Sequence, residues 1–140
     1  MHNLPLDASL IVGGDFRQEN GYTETKLLLT MKVRPTAIFA TSDLITLGAL
    51  KAIHEEGLEI PRDVSLVTFD DFDFAPYLRC PVTAVQQPKE MMGEIAVKML
   101  VDELQGIKQA PKRVVIPPKL IIRESVAAPA AAPVGRNRIL

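Results

Sequence analysis

Three short apolar runs, each closed by an aspartate, constrain this chain more than any other feature. Ser9-Leu-Ile-Val-Gly13, Thr36-Ala-Ile-Phe-Ala-Thr41 and Val64-Ser-Leu-Val-Thr-Phe69 are followed by Asp15, Asp43 and Asp70-Asp71. Runs of this length, rich in residues that suit a pleated surface and lacking strict alternation, read as buried strands of a parallel sheet. The segments between them carry helical spacing. Residues 19–33 place Tyr22, Leu27, Leu28 and Met31 near that period before Arg34-Pro35, where the residue preceding proline leaves the helical region. Residues 43–56 bury Leu44, Leu47, Ala49, Leu50 and Ile53, with Gly57 and Pro61 beyond, the usual left-handed stop and breaker. Strand, helix, strand, helix, strand predicts an α/β fold with a parallel, Rossmann-like sheet.

The chain then changes character. Residues 72–81 read as a loop holding Phe72, Phe74, Pro76, Tyr77 and Pro81, and Val82-Thr-Ala-Val85 as a fourth strand. Pro88 opens a long helix to about Gln105, with Gly106 after it and an apolar stripe of Met91, Met92, Ile95, Ala96, Met99, Leu100 and Leu104. Two strands are expected near 113–116 and 119–123, separated by Pro117-Pro118. Residues 1–126 are assigned to one domain, and 127–140, Ala/Pro-rich and without periodicity, to a disordered tail.

In an open parallel sheet, ligands bind beyond the carboxyl ends of the strands. The aspartates therefore fall where a small polar ligand is met, since a carboxylate accepts bonds from sugar hydroxyls or ligand amines. Phe16, beside Asp15, offers an aromatic face, and Gln87, just after the fourth strand, offers both a donor and an acceptor. Each residue also has a structural reading. Asp43 or Ser42 caps the following helix. Asp70 and Asp71 are adjacent, so one faces the crevice and the other satisfies loop backbone. Asp15 serves a turn and Phe16 the core.

Other chemistries lack their residues. There is no Gly-x-Ser-x-Gly, no Lys-bearing phosphate loop and no paired histidines; His2 and His54 stand alone, so neither a metal nor a cofactor is implied. Cys80 lacks a plausible histidine partner. With no catalytic residues to name, the expectation is a binding module and not an enzyme. Sixteen Lys+Arg against 17 Asp+Glu give a net charge of -1, without the basic excess of a dedicated nucleic-acid binder. One cysteine fits a reducing compartment, and Met1-His-Asn-Leu-Pro5 lacks the features of a signal peptide. No window approaches a membrane span. A cytoplasmic location is the expectation.

The order of segments is then recognisable. Arg34-Pro-Thr-Ala-Ile-Phe-Ala-Thr-Ser-Asp43, Leu47-Gly-Ala-Leu50, Gly57 with Ile60-Pro61, Asp63-Val-Ser-Leu-Val-Thr-Phe-Asp-Asp71 and Val82-Thr-Ala-Val-Gln-Gln-Pro88 closely resemble the LacI/GalR family of bacterial transcription regulators. The resemblance runs from about residue 4 to 126 and falls on the end of that family's effector-binding core, which is similar to a type I periplasmic sugar-binding protein. It implies a C-terminal lobe over residues 1–86, a crossing at 87–117 into an N-terminal lobe, of which this chain holds an orphaned piece, and a return over 118–126. Effector contacts are implied at Phe16, Ser42, Asp70 and Gln87, with Asp43 as the helix cap and Asp15 and Asp71 in support. A homodimer surface is implied at Thr46, Leu50, Phe74, Pro76 and Tyr77. Ser42 stands where the family usually has Asn, Thr68 where Gly is common and Ala84 where Thr is frequent.

The resemblance implies a small-molecule, sugar-like or nucleoside-like effector that controls DNA binding by a helix-turn-helix headpiece outside this chain. Without the sheet it normally covers, helix 88–105 is expected to expose part of its stripe and to drive self-association. Two other classes stand beside this one: a periplasmic-type sugar-binding transport protein, and an enzyme of the response-regulator or haloacid type. The latter needs paired carboxylates, Mg²⁺ and a nearby Lys or Thr.

Overall fold

In the computed structural model, residues 6–107 and 113–129 are described. The first helix, α1 (Gln18–Leu29), carries Glu19 in its first turn and Lys26 in its last, each suited to the helix dipole. Strand β1 (Ala37–Ala40) follows, and then α2 (Asp43–Glu55). The Ser42 hydroxyl accepts a bond from Ile45 N at 3.3 Å and starts α2, while Gly57, at φ +66°, stops it. Strand β2 (Ser65–Phe69) comes next, and after a loop with one 3-10 turn (Ala75–Tyr77), strand β3 (Thr83–Gln86). Helix α3 (Lys89–Leu104) and strand β4 (Lys119–Ile121) complete the order.

The sheet runs β1-β2-β3-β4. Strands β1, β2 and β3 are parallel, with Ala40 opposite Thr68 and Phe69 opposite Val85. Strand β4 pairs antiparallel with β3, Val85 lying opposite Leu120, so the sheet is mixed at that edge. Alternation along β1 turns Ile38 and Ala40 inward, onto a core shared with Leu29, Ala49, Ile53, Val64, Leu66 and Val82. Phe39 points the other way and is 57% exposed.

Helices α1 and α2 touch backbone to backbone. A Cβ on Gly48 collides with Gln18 O and Tyr22 N, and one on Gly21 comes within 2.5 Å of Ile45 O. The two glycines are the reason the helices lie this close. None of α3 is buried, and Leu104 is 78% exposed. Burying one such side chain is worth about 1.5–3 kcal/mol, so the stripe is a large unspent driving force for association.

Several sequence expectations are corrected. Residues 9–13 form no strand: the Asp7 carboxylate accepts bonds from Ser9 N (2.9 Å) and Ser9 Oγ (2.7 Å) and closes a 3-10 turn at Ala8–Leu10. Ile11 is extended, but no ladder joins it to β1. Helix α1 ends at Leu29, short of 33, where Thr30 N bonds back to the helix and the segment opens toward Pro35. Residues 113–116 are not a strand, because nothing among the described residues offers them a ladder, and the final strand shortens to Lys119–Ile121. Ala127, expected to open a disordered tail, is tied to the sheet by its N–H on Ser65 Oγ (3.1 Å); residues 130–140 lie outside the described residues. So do His2 and the N-terminal Met1–Pro5.

Gly48→Ala is expected to force the two helices apart, at a cost of about 1–3 kcal/mol. Thermal unfolding reads this as a Tm lower by roughly 2–4 °C for each kcal/mol. An unchanged Tm contradicts the tight contact.

Candidate functional site

Because β1, β2 and β3 are parallel, their carboxyl ends share one rim. The registers Ala40–Thr68 and Phe69–Val85 align the ends of three adjacent strands, about 4.8 Å apart from strand to strand, with Ser42 just past β1 and Asp70 just past β2. The rim is built from strand ends, which are more rigid platforms than free loops.

Asp70 is its centre. Its N–H bonds Val85 O (3.0 Å), and its carboxylate accepts a bond from Gln87 Nε2 (2.6 Å). Two residues singled out from sequence are therefore in direct contact. Asp70 also takes φ +73°, the left-handed region in which Asp is tolerated and most residues are not. That conformation reverses the chain at the end of β2. Each partner keeps polar capacity for a ligand: the carboxylate has lone pairs left, and the Gln87 amide has a carbonyl oxygen and a second N–H.

Ser42, and not Asp43, is the cap of α2. Asp43 accepts only from the adjacent Leu44 N (2.7 Å) and stands exposed at the first turn, where its charge suits the dipole. The Ser42 hydroxyl proton remains free to be donated. Thr46 is corrected too. Expected on a dimer surface, it is fully buried. Its hydroxyl donates to Ser42 O (2.7 Å) and meets Thr68 Oγ1 at 2.6 Å. Thr68, the departure from the family's glycine, supplies that partner and ties the start of α2 to β2.

Asp71 turns away from the rim. Its two oxygens accept Arg123 Nη1 (2.7 Å) and Nη2 (2.8 Å), and Arg123 Nη1 also bonds Val82 O (2.7 Å). The side chains are 11% and 15% exposed. The guanidinium holds the Asp71 carboxyl below its ordinary range, and the carboxylate raises Arg123 in return. Arg123 escaped the sequence reading: a single Arg following an apolar strand carries no signal until the fold brings it to the aspartate pair.

Phe16 is not gathered with Asp70. It is 65% exposed and lines a groove of about 550 Å³ between Leu10–Phe16 and Ala37–Thr41, while Asp15 pairs with Arg17 at 2.9 Å. Gln87 lines a second hollow of about 550 Å³ with Phe69, Met92 and Ile116. The second hollow thus adjoins the Asp70–Gln87 pair through Gln87, whereas neither residue lines the first. Of the surface expected to self-associate, Phe74, Pro76 and Tyr77 are exposed, and Leu50 is half-buried against the core. Among the described residues, no cluster of His, Cys, Asp and Glu is arranged to hold a metal. Burial raises the Cys80 thiol, opposite to what a nucleophile needs. No described helix is long and apolar enough to cross a membrane.

Comparison with known proteins follows this geometry. The periplasmic binding protein-like domain model matches residues 1–126. The HTH-type transcriptional repressor PurR of Yersinia pestis (strain Pestoides F) is 40% identical over 125 residues, covering 89% of this chain and 37% of that protein. The structure described as transcriptional regulator LacI from Bacillus cereus subsp. cytotoxis NVH 391-98 superimposes with a TM-score of 0.84 at 33% identity, over 89% of this chain and 44% of that one. The transcriptional regulator CelR–cellobiose complex gives a TM-score of 0.82 at 36% identity, over 88% and 38%. The chain spans little more than a third of the length of the curated relatives it matches.

The Arg123–Asp71 pair makes stability depend on acid. The native Asp71 pKa lies below its unfolded value, about 3.9. Its contribution is therefore complete above that value and is lost as pH falls through the native one. Asp71→Asn is expected to lower stability by about 1–3 kcal/mol at neutral pH. The Tm gap to the unsubstituted protein should narrow below about pH 4. A gap constant down to pH 2 contradicts the ion pair.

Proposed function

The chain belongs to the LacI/GalR family of transcriptional regulators through its periplasmic-binding-protein-like domain, and we propose that it is the effector-sensing and dimerisation segment of such a regulator. Its ligand is a small polyhydroxylated molecule, a sugar or a nucleoside-like compound. The observation that carries this reading is the Asp70–Gln87 pair at the shared carboxyl edge of parallel strands. A carboxylate beside an amide presents acceptors and donors a few ångströms apart, the pattern that vicinal hydroxyls satisfy. Ser42, just past the end of β1 as Asp70 is just past β2, adds a hydroxyl donor, shorter in reach than the family's usual asparagine. Phe16, in the flanking groove, supplies an aromatic face for a ring once a ligand spans the rim. The cellobiose complex of a relative supports the sugar class.

In this reading the segment does not itself contact DNA. Occupancy of the rim controls a DNA-binding portion outside this chain, as the repressor names of the relatives suggest. Self-association runs through Leu50, Phe74, Pro76 and Tyr77. Tyr77 is 87% exposed, and Phe74 packs on Phe72 with ring centroids 4.5 Å apart, a small aromatic platform suited to an interface.

Two measurements test the proposal. Calorimetry of the intact regulator against a panel of mono- and disaccharides and nucleosides should find a ligand whose affinity falls about 10- to 100-fold in Asp70→Ala, the loss expected for hydrogen bonds to a charged group. Unchanged affinity removes Asp70 from the site. Sedimentation of the chain should show self-association that weakens in Tyr77→Asp. A monomer at all concentrations, or an unaffected variant, rejects the aromatic surface.

A further inference from the structure

Asp70 is the one non-glycine residue among those described with a left-handed backbone. An L residue holds that region only where its surroundings over-determine it. Here both sides are clamped. On one side, Asp70 N is fixed to Val85 O (3.0 Å) and the carboxylate to Gln87 Nε2 (2.6 Å). On the other, Asp71 is gripped by both Arg123 nitrogens and accepts Phe72 N at 3.1 Å. Arg123 is itself fixed: its N–H bonds Thr83 Oγ1 (3.0 Å), and its guanidinium bonds Val82 O. It lies two residues beyond β4, the strand that returns to the sheet after α3.

We propose that the Arg123–Asp71 pair is a latch that sets the backbone of Asp70, making Arg123 a positioning residue for the effector rim and coupling that rim to α3 and β4. The polypeptide leaves the rim at Gln87, runs through α3 and returns along β4, whose Lys119 lies opposite Gln86. Arg123 then closes the circuit at Asp71. A shift of α3 and β4 against the parallel strands loads this latch, and its release frees Asp70 to leave the left-handed region and withdraw its carboxylate. Conversely, a ligand that holds the carboxylate favours the latched arrangement of β4. Arg123 touches no part of the rim facing a ligand; it acts through Asp71. The functional consequence rests on Asp70 being an effector contact, but the mechanical coupling does not.

The test reads the Asp70 backbone directly by NMR on the full 140-residue chain. One-bond Hα–Cα and three-bond couplings report the sign of φ, and amide exchange reports the Asp70 N–H to Val85 bond. Arg123→Ala and Asp71→Asn should move Asp70 to negative φ and speed its amide exchange at least tenfold. Arg123→Lys, which keeps the charge but loses the fork, should fall between. Gly48→Ala is the control: it strains the α1–α2 contact against Gln18 and Tyr22, which involves neither Asp71 nor Arg123, and should leave Asp70 latched at comparable loss of Tm. If Arg123→Ala does not fold, Asp71→Asn and Arg123→Lys carry the comparison. The proposal is overturned if Asp70 keeps positive φ and its protection in those variants, or if Gly48→Ala disturbs it equally. Unchanged ligand affinity in Asp70→Ala of the intact regulator removes the effector reading while leaving this measurement in force.

Discussion

A buried serine hydroxyl joins the two halves of the sheet. The β2–β3 register begins at Val67 and Thr83, so the first residues of β2 have no neighbour on that side. Ser125 fills the gap. It is fully buried, its carbonyl accepts Leu66 N (2.9 Å), its hydroxyl donates to Leu66 O (2.5 Å), and Ser125 Oγ accepts Thr83 N (2.8 Å). Leaving any of these backbone groups buried and unpaired costs about 1–3 kcal/mol. Among the described residues, no buried side-chain polar atom lacks a partner. The segment from Arg123 to Ala127 is thus part of the sheet's hydrogen-bonding scheme although it is not a strand. It also puts Arg123 within reach of Asp71, so the rim and the sheet closure share one stretch of chain.

What the sequence made legible follows from local physics. The strands at 37–40 and 65–69 and the helices at 43–55 and 89–104 rest on apolar runs, proline and glycine breaks and caps within a few residues of one another. Asp70 and Gln87 were visible because parallel strands must end at one edge. What escaped depended on partners distant in sequence. Residues 9–13 have the composition of a strand, but a strand needs a neighbour to bond, and Asp7 offered a nearer turn. Thr46 sits at a helical position that resembles an outer face, yet its hydroxyl finds Thr68, 22 residues away. Ser42 and Asp43 both suit a cap, and only the extended backbone at Ser42, φ -159°, decides between them. Arg123 and Ser125 belong to the same class: their roles are set by strands forty or more residues earlier.

The open surfaces are as informative as the core. Among the described residues strand β1 has one neighbour, Phe39 faces outward, and α3 buries no residue. A parallel sheet is ordinarily covered on both faces, and here α1 and α2 cover one. The relatives this chain matches are more than twice its length. An uncovered sheet face and an exposed apolar helix stripe both leave burial still to be gained. The hollow beside Gln87 is walled largely by apolar side chains, among them Phe69, Met92 and Ile116. The polar centre of the rim is held by bonds that bridge β2 and β3, from Asp70 N to Val85 O and from Gln87 to the Asp70 carboxylate.

The identity of residue 70 is the last point of tension. Glycine adopts positive φ freely, and an L residue there costs roughly 1–2 kcal/mol. A chain selected for stability alone has every physical reason to place glycine at such a reversal. Aspartate is tolerated because its short side chain can bond nearby groups, and here it bonds Gln87. That bond returns part of the cost but also fixes the carboxylate at the strand end, with oxygen lone pairs still unused. Positions that break a local rule and are held in place by their surroundings are where function is expected. Asp43 and Asp15, in contrast, break no rule: one lies in the first turn of a helix, the other pairs with an exposed arginine. Of the three aspartates that close the apolar runs, only the one under strain has a geometry that ordinary folding requirements leave unexplained.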